Sequence, residues 1–244
     1  MARPFHRQAN TLIPFLPDEM ITIETSSGTQ YIVHARPLAY LSLYFFIELN
    51  DNYQGPTTRT FRLNEHCENK VLEIFIDWMC FRNTVGRDRI DREFFLQGIP
   101  LTIAVKAWLL GAYLQSPDFQ DDMMRYIMAK NMRIYGRRII QEFGAQAPEN
   151  SCLEFFFVDM FCHLMTVEKS VPPEVMRLWL TPRLMSEVSV RFYTAPRSGG
   201  VGEGPGWMKE TSRYFINKDY EMVERGSRSA SITARVTELQ RTLR

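Results

Sequence analysis

The amino-acid sequence predicts an α+β fold: a short β-sheet with a helical cluster, followed by a C-terminal helical extension. Three observations lead there. Apolar–polar alternation is concentrated in two neighbouring stretches, "MITIET" and "QYIVH", with the turn-forming "SSGT" between them. From Glu68 onward the apolar spacing becomes that of helices. Hydrophobic residues make up 45% and aromatic residues 13% of the 244 positions, which is enough to fill a core in a chain of this length.

Taken in order, the two alternating stretches form a β-hairpin, and "TTRTFRL", after the polar loop "NDNYQGPTT", is a further extended piece. Between hairpin and loop, residues Pro37 to Leu49 are apolar nearly all round and predict one helix covered on more than one side. Leu72, Phe75, Ile76 and Met79 share the face of a later helix, and Leu101, Ala104, Val105, Trp108, Leu109 and Ala112 share another. In "LQSPDFQDDMM", Ser116 is placed to cap a helix, Pro117 suits its first turn and Asp118 complements its dipole; Phe119, Met123 and Ile127 continue its buried stripe. Ser151 and Glu154 have the spacing of a capping box ahead of the apolar "LEFFFVDMF", and "SVPPEVMRLWL" opens another helix through its prolines. Beyond Val190, "TAPRSGGVGEGPG" has the composition of a flexible linker. The chain thus divides into an N-terminal arm (1–18), an α+β domain (19–131), a helical extension packed on it (132–190) and a flexible, mildly basic tail (191–244).

Lys and Arg number 29 against 28 Asp and Glu, so the net charge of +1 supplies no overall field for nucleic acid or an anionic membrane. Cys67, Cys80, Cys152 and Cys162 are scattered and read as reduced thiols, which places the protein inside the cell, in cytoplasm or nucleus. The opening "MARPFHRQANTLIPFLPDEM" lacks an uninterrupted apolar run and does not read as a signal peptide. The longest apolar stretches carry Lys106, Glu154, Asp159 and His163, so no membrane span is expected.

Chemistry-bearing patterns are sparse. Cys162 beside His163 has no second ligand pair at zinc spacing, "GGVGEGPG" lacks the Gly-Lys-Ser/Thr of a phosphate loop, and no Gly-x-Ser-x-Gly elbow occurs. Asp121 with Asp122, and Asp88 with Asp91, lie in charged runs and read as solvated surface, as do Arg133, Arg137 and Arg138. The expectation is a non-enzymatic protein without cofactor or metal.

Three segments, in order, resemble one family. "YIVHARPLAYLSLYFF" is similar to the strand, histidine and helix of BTB/POZ domains, with Tyr31, His34, Leu38, Ser42 and Phe45 at the pattern positions. "FRLNEHCENKVLEIFIDWMCFRNT" resembles the family's next strand and helix, and "AVKAWLLGAYLQSPDFQDDMMRYIM" its following helical pair. The resemblance covers residues 19–131 and is closest in appearance to BTB proteins of filamentous fungi, which often carry further helices after the domain. Met20, Ala35, Pro37 and Cys80 depart from the common pattern, and "VGRDRIDREFFLQGIP" is a longer connection than usual.

The resemblance implies a BTB/POZ fold and a protein–protein interaction module that homodimerises and scaffolds partner proteins. It implies a structural His34, buried and hydrogen-bonded where strand meets helix. Leu38, Leu41, Ser42 and Phe45 would face the core, leaving Ala39, Leu43, Phe46 and Ile47 turned outward to a second copy; the apolar "TLIPFLP" of the arm is the competing cover. An alternative is a substrate adaptor for a cullin-type ubiquitin ligase. Tyr53, Gln54 and Gly55 stand where such adaptors carry a hydrophobic-x-Glu motif and lack the acid, and no kelch, MATH, ankyrin or zinc-finger segment follows. A transcription-associated nucleic-acid-binding role has no base-reading module behind it.

Overall fold

A computed structural model describes residues 19–51, 59–63, 67–85, 98–130, 139–140, 142–166, 180–194 and 214–216. The alternating stretches form β1 (Met20–Thr25) and β2 (Gln30–His34), antiparallel and in register from Met20 opposite His34 to Glu24 opposite Gln30. Gly28, at φ +80, closes the turn with its N–H on the Thr25 carbonyl at 2.9 Å, in a backbone conformation that favours glycine. β3 (Arg59–Leu63) joins β1 in parallel, giving the strand order β2-β1-β3. Pleating sends Ile21, Ile23, Val33 and Leu63 into the core.

The segment expected as one helix is two, α1 (Ala35–Leu41) and α2 (Leu43–Asp51). Ser42, at φ −135 and ψ 120, breaks them apart. Pro37 is tolerated because it lies in the first turn of α1, where an N–H has no intrahelical partner to lose. Then come α3 (Asn69–Val85), α4 (Leu101–Tyr113), α5 (Pro117–Ala129), α6 (Cys152–Thr166) and α7 (Pro182–Thr194). Among the described residues the architecture is therefore mixed α+β, with a three-stranded sheet and seven helices.

α3 and α5 share an aromatic cluster in which Phe119 packs edge-on to Phe75 at 5.1 Å and lies 5.0 Å from Trp78. α4 and α5 approach closely at Gly111, where a Cβ would lie 2.8 Å from Gln120 Cγ. The same contiguous core continues through Phe143, Leu153, Phe156, Phe161 and Leu184, so the apolar face of α6 is covered. At its start Ser151 Oγ accepts the Glu154 N–H at 3.2 Å, while Glu154 accepts the Asn150 N–H at 2.6 Å, one residue upstream of the usual capping box. Arg183 of α7 reaches Glu154 at 2.9 Å.

Asp121 and Asp122 are not solvated surface: both are buried, Asp122 accepting from Trp78 Nε1 at 2.9 Å and Arg125 at 2.8 Å, with Arg82 at 3.7 Å. Buried carboxylates persist where such donors offset their lost hydration. Nor is the 191–244 tail loose throughout. Tyr214 and Phe215 are buried, Tyr214 lying edge-on to Phe156 at 5.7 Å. α7 also runs past the Val190 boundary, to Thr194.

Candidate functional site

The junction between α1 and α2 is flanked by exposed apolar side chains, Tyr40 before it and Leu43 and Ile47 after it. A helix break leaves backbone groups without intrahelical partners. Here they are met by the turn between α4 and α5: the N–H groups of Leu43 and Tyr44 donate to the Gln115 and Leu114 carbonyls, each at 3.3 Å. Ser42 ends α1 and caps α2, its Oγ accepting the Phe45 N–H at 3.3 Å and donating to the Leu114 carbonyl at 2.6 Å. Ser116, expected to cap α5 with its side chain, instead donates across to the Leu41 carbonyl at 2.7 Å. Two serines thus exchange hydroxyl bonds between two chain reversals.

This anchoring determines which side chains face outward. Leu38, Ser42 and Phe45 are buried and Leu41 is half-buried. Leu43 and Ile47, one turn apart on α2, are 40% and 39% exposed, and Tyr40 on α1 is 68% exposed. Phe46 is half-buried and packs against the core. Ala39, expected outward, is only 8% exposed and belongs to the core. The error has a physical cause: the extended backbone at Ser42 resets the helical phase, so positions on either side do not lie on one wheel. Beside this face Tyr44 and Tyr113 pack at 5.3 Å; burial first, then the hydrogen bond with Tyr113, pushes the Tyr44 hydroxyl up to about 12.

His34 is exposed, contrary to the implied burial, and its side chain does not cap α1. The reason is strand parity. Val33 points inward, so His34 projects from the outer face of the sheet opposite Met20, on the side of exposed Ile32. Tyr31 has the inward parity, is half-buried and donates to Glu73 at 3.1 Å; burial, then Glu73, raises its pKa.

A cavity of about 260 Å3 is lined by Cys67, Glu68, Lys106, Tyr113 and Gln146 among others. Burial pushes the Cys67 thiol up to about 12, which keeps it protonated and poorly nucleophilic, and Lys106 is engaged with Glu68 at 2.6 Å. Among the described residues no three His, Cys, Asp or Glu side chains cluster to hold a metal, and no helix is long and apolar enough to cross a membrane. Cys162 and His163 are adjacent and half-buried on α6. Arg133, Arg137 and Arg138, the Tyr53–Gln54–Gly55 segment, Asp88 with Asp91, "GGVGEGPG" and the arm 1–18 lie outside the described residues. The chain matches no protein-family model and no curated protein.

Proposed function

We propose that this chain is a BTB/POZ-type protein-interaction module, which pairs with a second copy through the outward face of α1 and α2 and scaffolds partner proteins from its other surfaces. The observation that carries this reading is the apolar pair Leu43 and Ile47, held outward on α2 beside Tyr40 by an anchored junction. Large apolar side chains on one rigid face gain roughly 25 cal/mol per Å2 when covered, and a two-fold contact needs only one self-complementary patch. The element order supports the family assignment: hairpin, helices, a third strand parallel to the first, then a helical cluster. So does the burial of Leu38, Ser42 and Phe45.

Light scattering coupled to size exclusion, at tens of micromolar chain, tests the pairing. The wild type elutes as a dimer, while Leu43→Asp and Ile47→Glu give monomers with unchanged circular dichroism and a lower melting temperature, as loss of a stabilising association requires. Phe46 is unsuitable for this purpose because it also packs inward. A monomeric wild type overturns the proposal.

A further inference from the structure

β2 lies at one edge of the sheet, in the order β2-β1-β3, so alternate backbone groups along it face away from β1. Two bonds fix which ones. The Thr25 N–H donates to the Thr29 carbonyl at 3.0 Å and the Ala35 N–H to the Glu19 carbonyl at 2.9 Å, so the odd-numbered residues of this stretch turn toward β1. Hydrogen-bonded positions alternate along an antiparallel ladder, which leaves Gln30, Ile32 and His34 turned to the open edge. The His34 carbonyl serves α1, of which His34 is the N-cap. Among the described residues none bonds the His34 N–H or the backbone groups of Gln30 and Ile32. Open edges usually carry a charge, a proline or a bulge that keeps other strands off. β3, at the opposite edge, has Arg59 and Arg62, whereas Gln30–His34 has no proline, no bulge and no Asp, Glu, Lys or Arg. At its centre Ile32 is 69% exposed, diagonal to the exposed Met20 of β1.

We propose that β2 is a strand-pairing edge whose occupant is β2 of a second copy of this chain, antiparallel about a two-fold axis at Ile32. The free groups select this occupant. In that register Ile32 exchanges both backbone bonds with Ile32 of the second copy, and each free His34 N–H meets the free Gln30 carbonyl opposite it. The carbonyl already committed to α1 is not needed. On the outer face the two Ile32 side chains touch across the axis, Gln30 stands opposite His34, and no like charges face each other. A contact of five residues a side is weak, with a Kd on the order of 0.1–1 mM between isolated chains, so it acts where copies are already gathered. It uses a different surface from the α2 face and does not depend on pairing there; where both contacts form, they link copies into assemblies larger than a dimer.

Sedimentation equilibrium of the full chain carrying Leu43→Asp, in which the α2 face is closed to pairing, tests the contact from about 20 µM to about 1 mM. The weight-average mass rises from that of a monomer toward twice that value. Adding Ile32→Lys or Ile32→Glu sets like charges face to face on the two-fold and weakens association by at least about fivefold, whereas a mixture of the two variants associates again because Lys then opposes Glu. Thiol trapping reads the register, in a Cys80→Ser background that removes the exposed native thiol. Ile32→Cys lies about 5.5 Å from its copy between Cα atoms, within the reach of a disulfide, and cross-links under mild oxidation. Gln30→Cys lies roughly 13 Å along the strands from its own copy and cross-links at least about tenfold less. Both positions are exposed, so the variants keep the parent's circular dichroism. Should Leu43→Asp fail to fold, Ile47→Glu takes its place. A monomer at about 1 mM, association that survives both charge variants, a mixture no better than its components, or equal cross-linking at Gln30 and Ile32 overturns the proposal.

Discussion

Replacing Ser42 by alanine removes two hydrogen bonds at a site that water does not reach. The lost cap on the Phe45 N–H, at 3.3 Å, costs about 1 kcal/mol. The lost bond to the Leu114 carbonyl, at 2.6 Å, costs about 1 kcal/mol more. That carbonyl still receives the Tyr44 N–H at 3.3 Å, which limits the damage on the acceptor side. The sum is about 2 kcal/mol. With a urea slope of ~3 kcal/mol per M, the unfolding midpoint falls by ~0.7 M at unchanged slope. Tryptophan fluorescence in urea reads this directly. A midpoint within ~0.2 M of wild type leaves under ~0.6 kcal/mol for both bonds and refutes the assignment of Ser42 as the clasp of the junction. Ser116→Ala provides the second arm, since its hydroxyl holds the Leu41 carbonyl on the other side of the same break. Because the two serines stabilise one arrangement, the double variant loses less than the sum of the single ones, by ~0.5–1 kcal/mol, and strict additivity argues against a shared junction.

Asp122→Ala deprives Trp78 and Arg125 of their acceptor and leaves buried Arg82 with Asp118 at 3.3 Å, so stability falls by about 3 kcal/mol; a loss under ~1 kcal/mol in thermal unfolding contradicts the network. Gly111→Ala places a methyl group 2.8 Å from Gln120 Cγ and 3.0 Å from Phe119 Cδ1, and destabilises by about 1–2 kcal/mol, whereas a neutral melting temperature shows that α4 and α5 have room to part. At pH 8, alkylation read by peptide mass spectrometry modifies exposed Cys80 before buried Cys67, and only urea equalises them. Because the folded Cys67 thiol lies at about 12 against an ordinary 9.0, the unfolded chain sheds its proton first. Its contribution to stability is complete below pH 9.0 and is lost as the pH rises from there through about 12, and a flat stability profile across that window contradicts the shift.

Much of the fold is written locally. The alternation of "MITIET" and "QYIVH" encodes a hairpin because successive strand residues face opposite ways, and the apolar spacing after Glu68 encodes helices. The sequence marks Ser42 only by resemblance to a pattern, and its role is a bond to Leu114, seventy-two residues away. The same limit explains the misplacements. Whether His34 or Val33 faces inward depends on which side of the sheet the helices cover, and alternation does not label the sides. Asp121 and Asp122 look like surface in a polar run because their partners are remote, Trp78 forty-four residues before Asp122 and Ile216 ninety-five after Asp121. The phase of α2 relative to α1, and with it the outward placement of Leu43 and Ile47 but not Ala39, follows from the extended backbone at Ser42 and its anchorage to a distant turn. Periodicity along the chain therefore determines which elements form, because it reflects neighbours. Which side of each element meets solvent, a partner or another segment is decided only when remote donors and acceptors come within hydrogen-bonding distance.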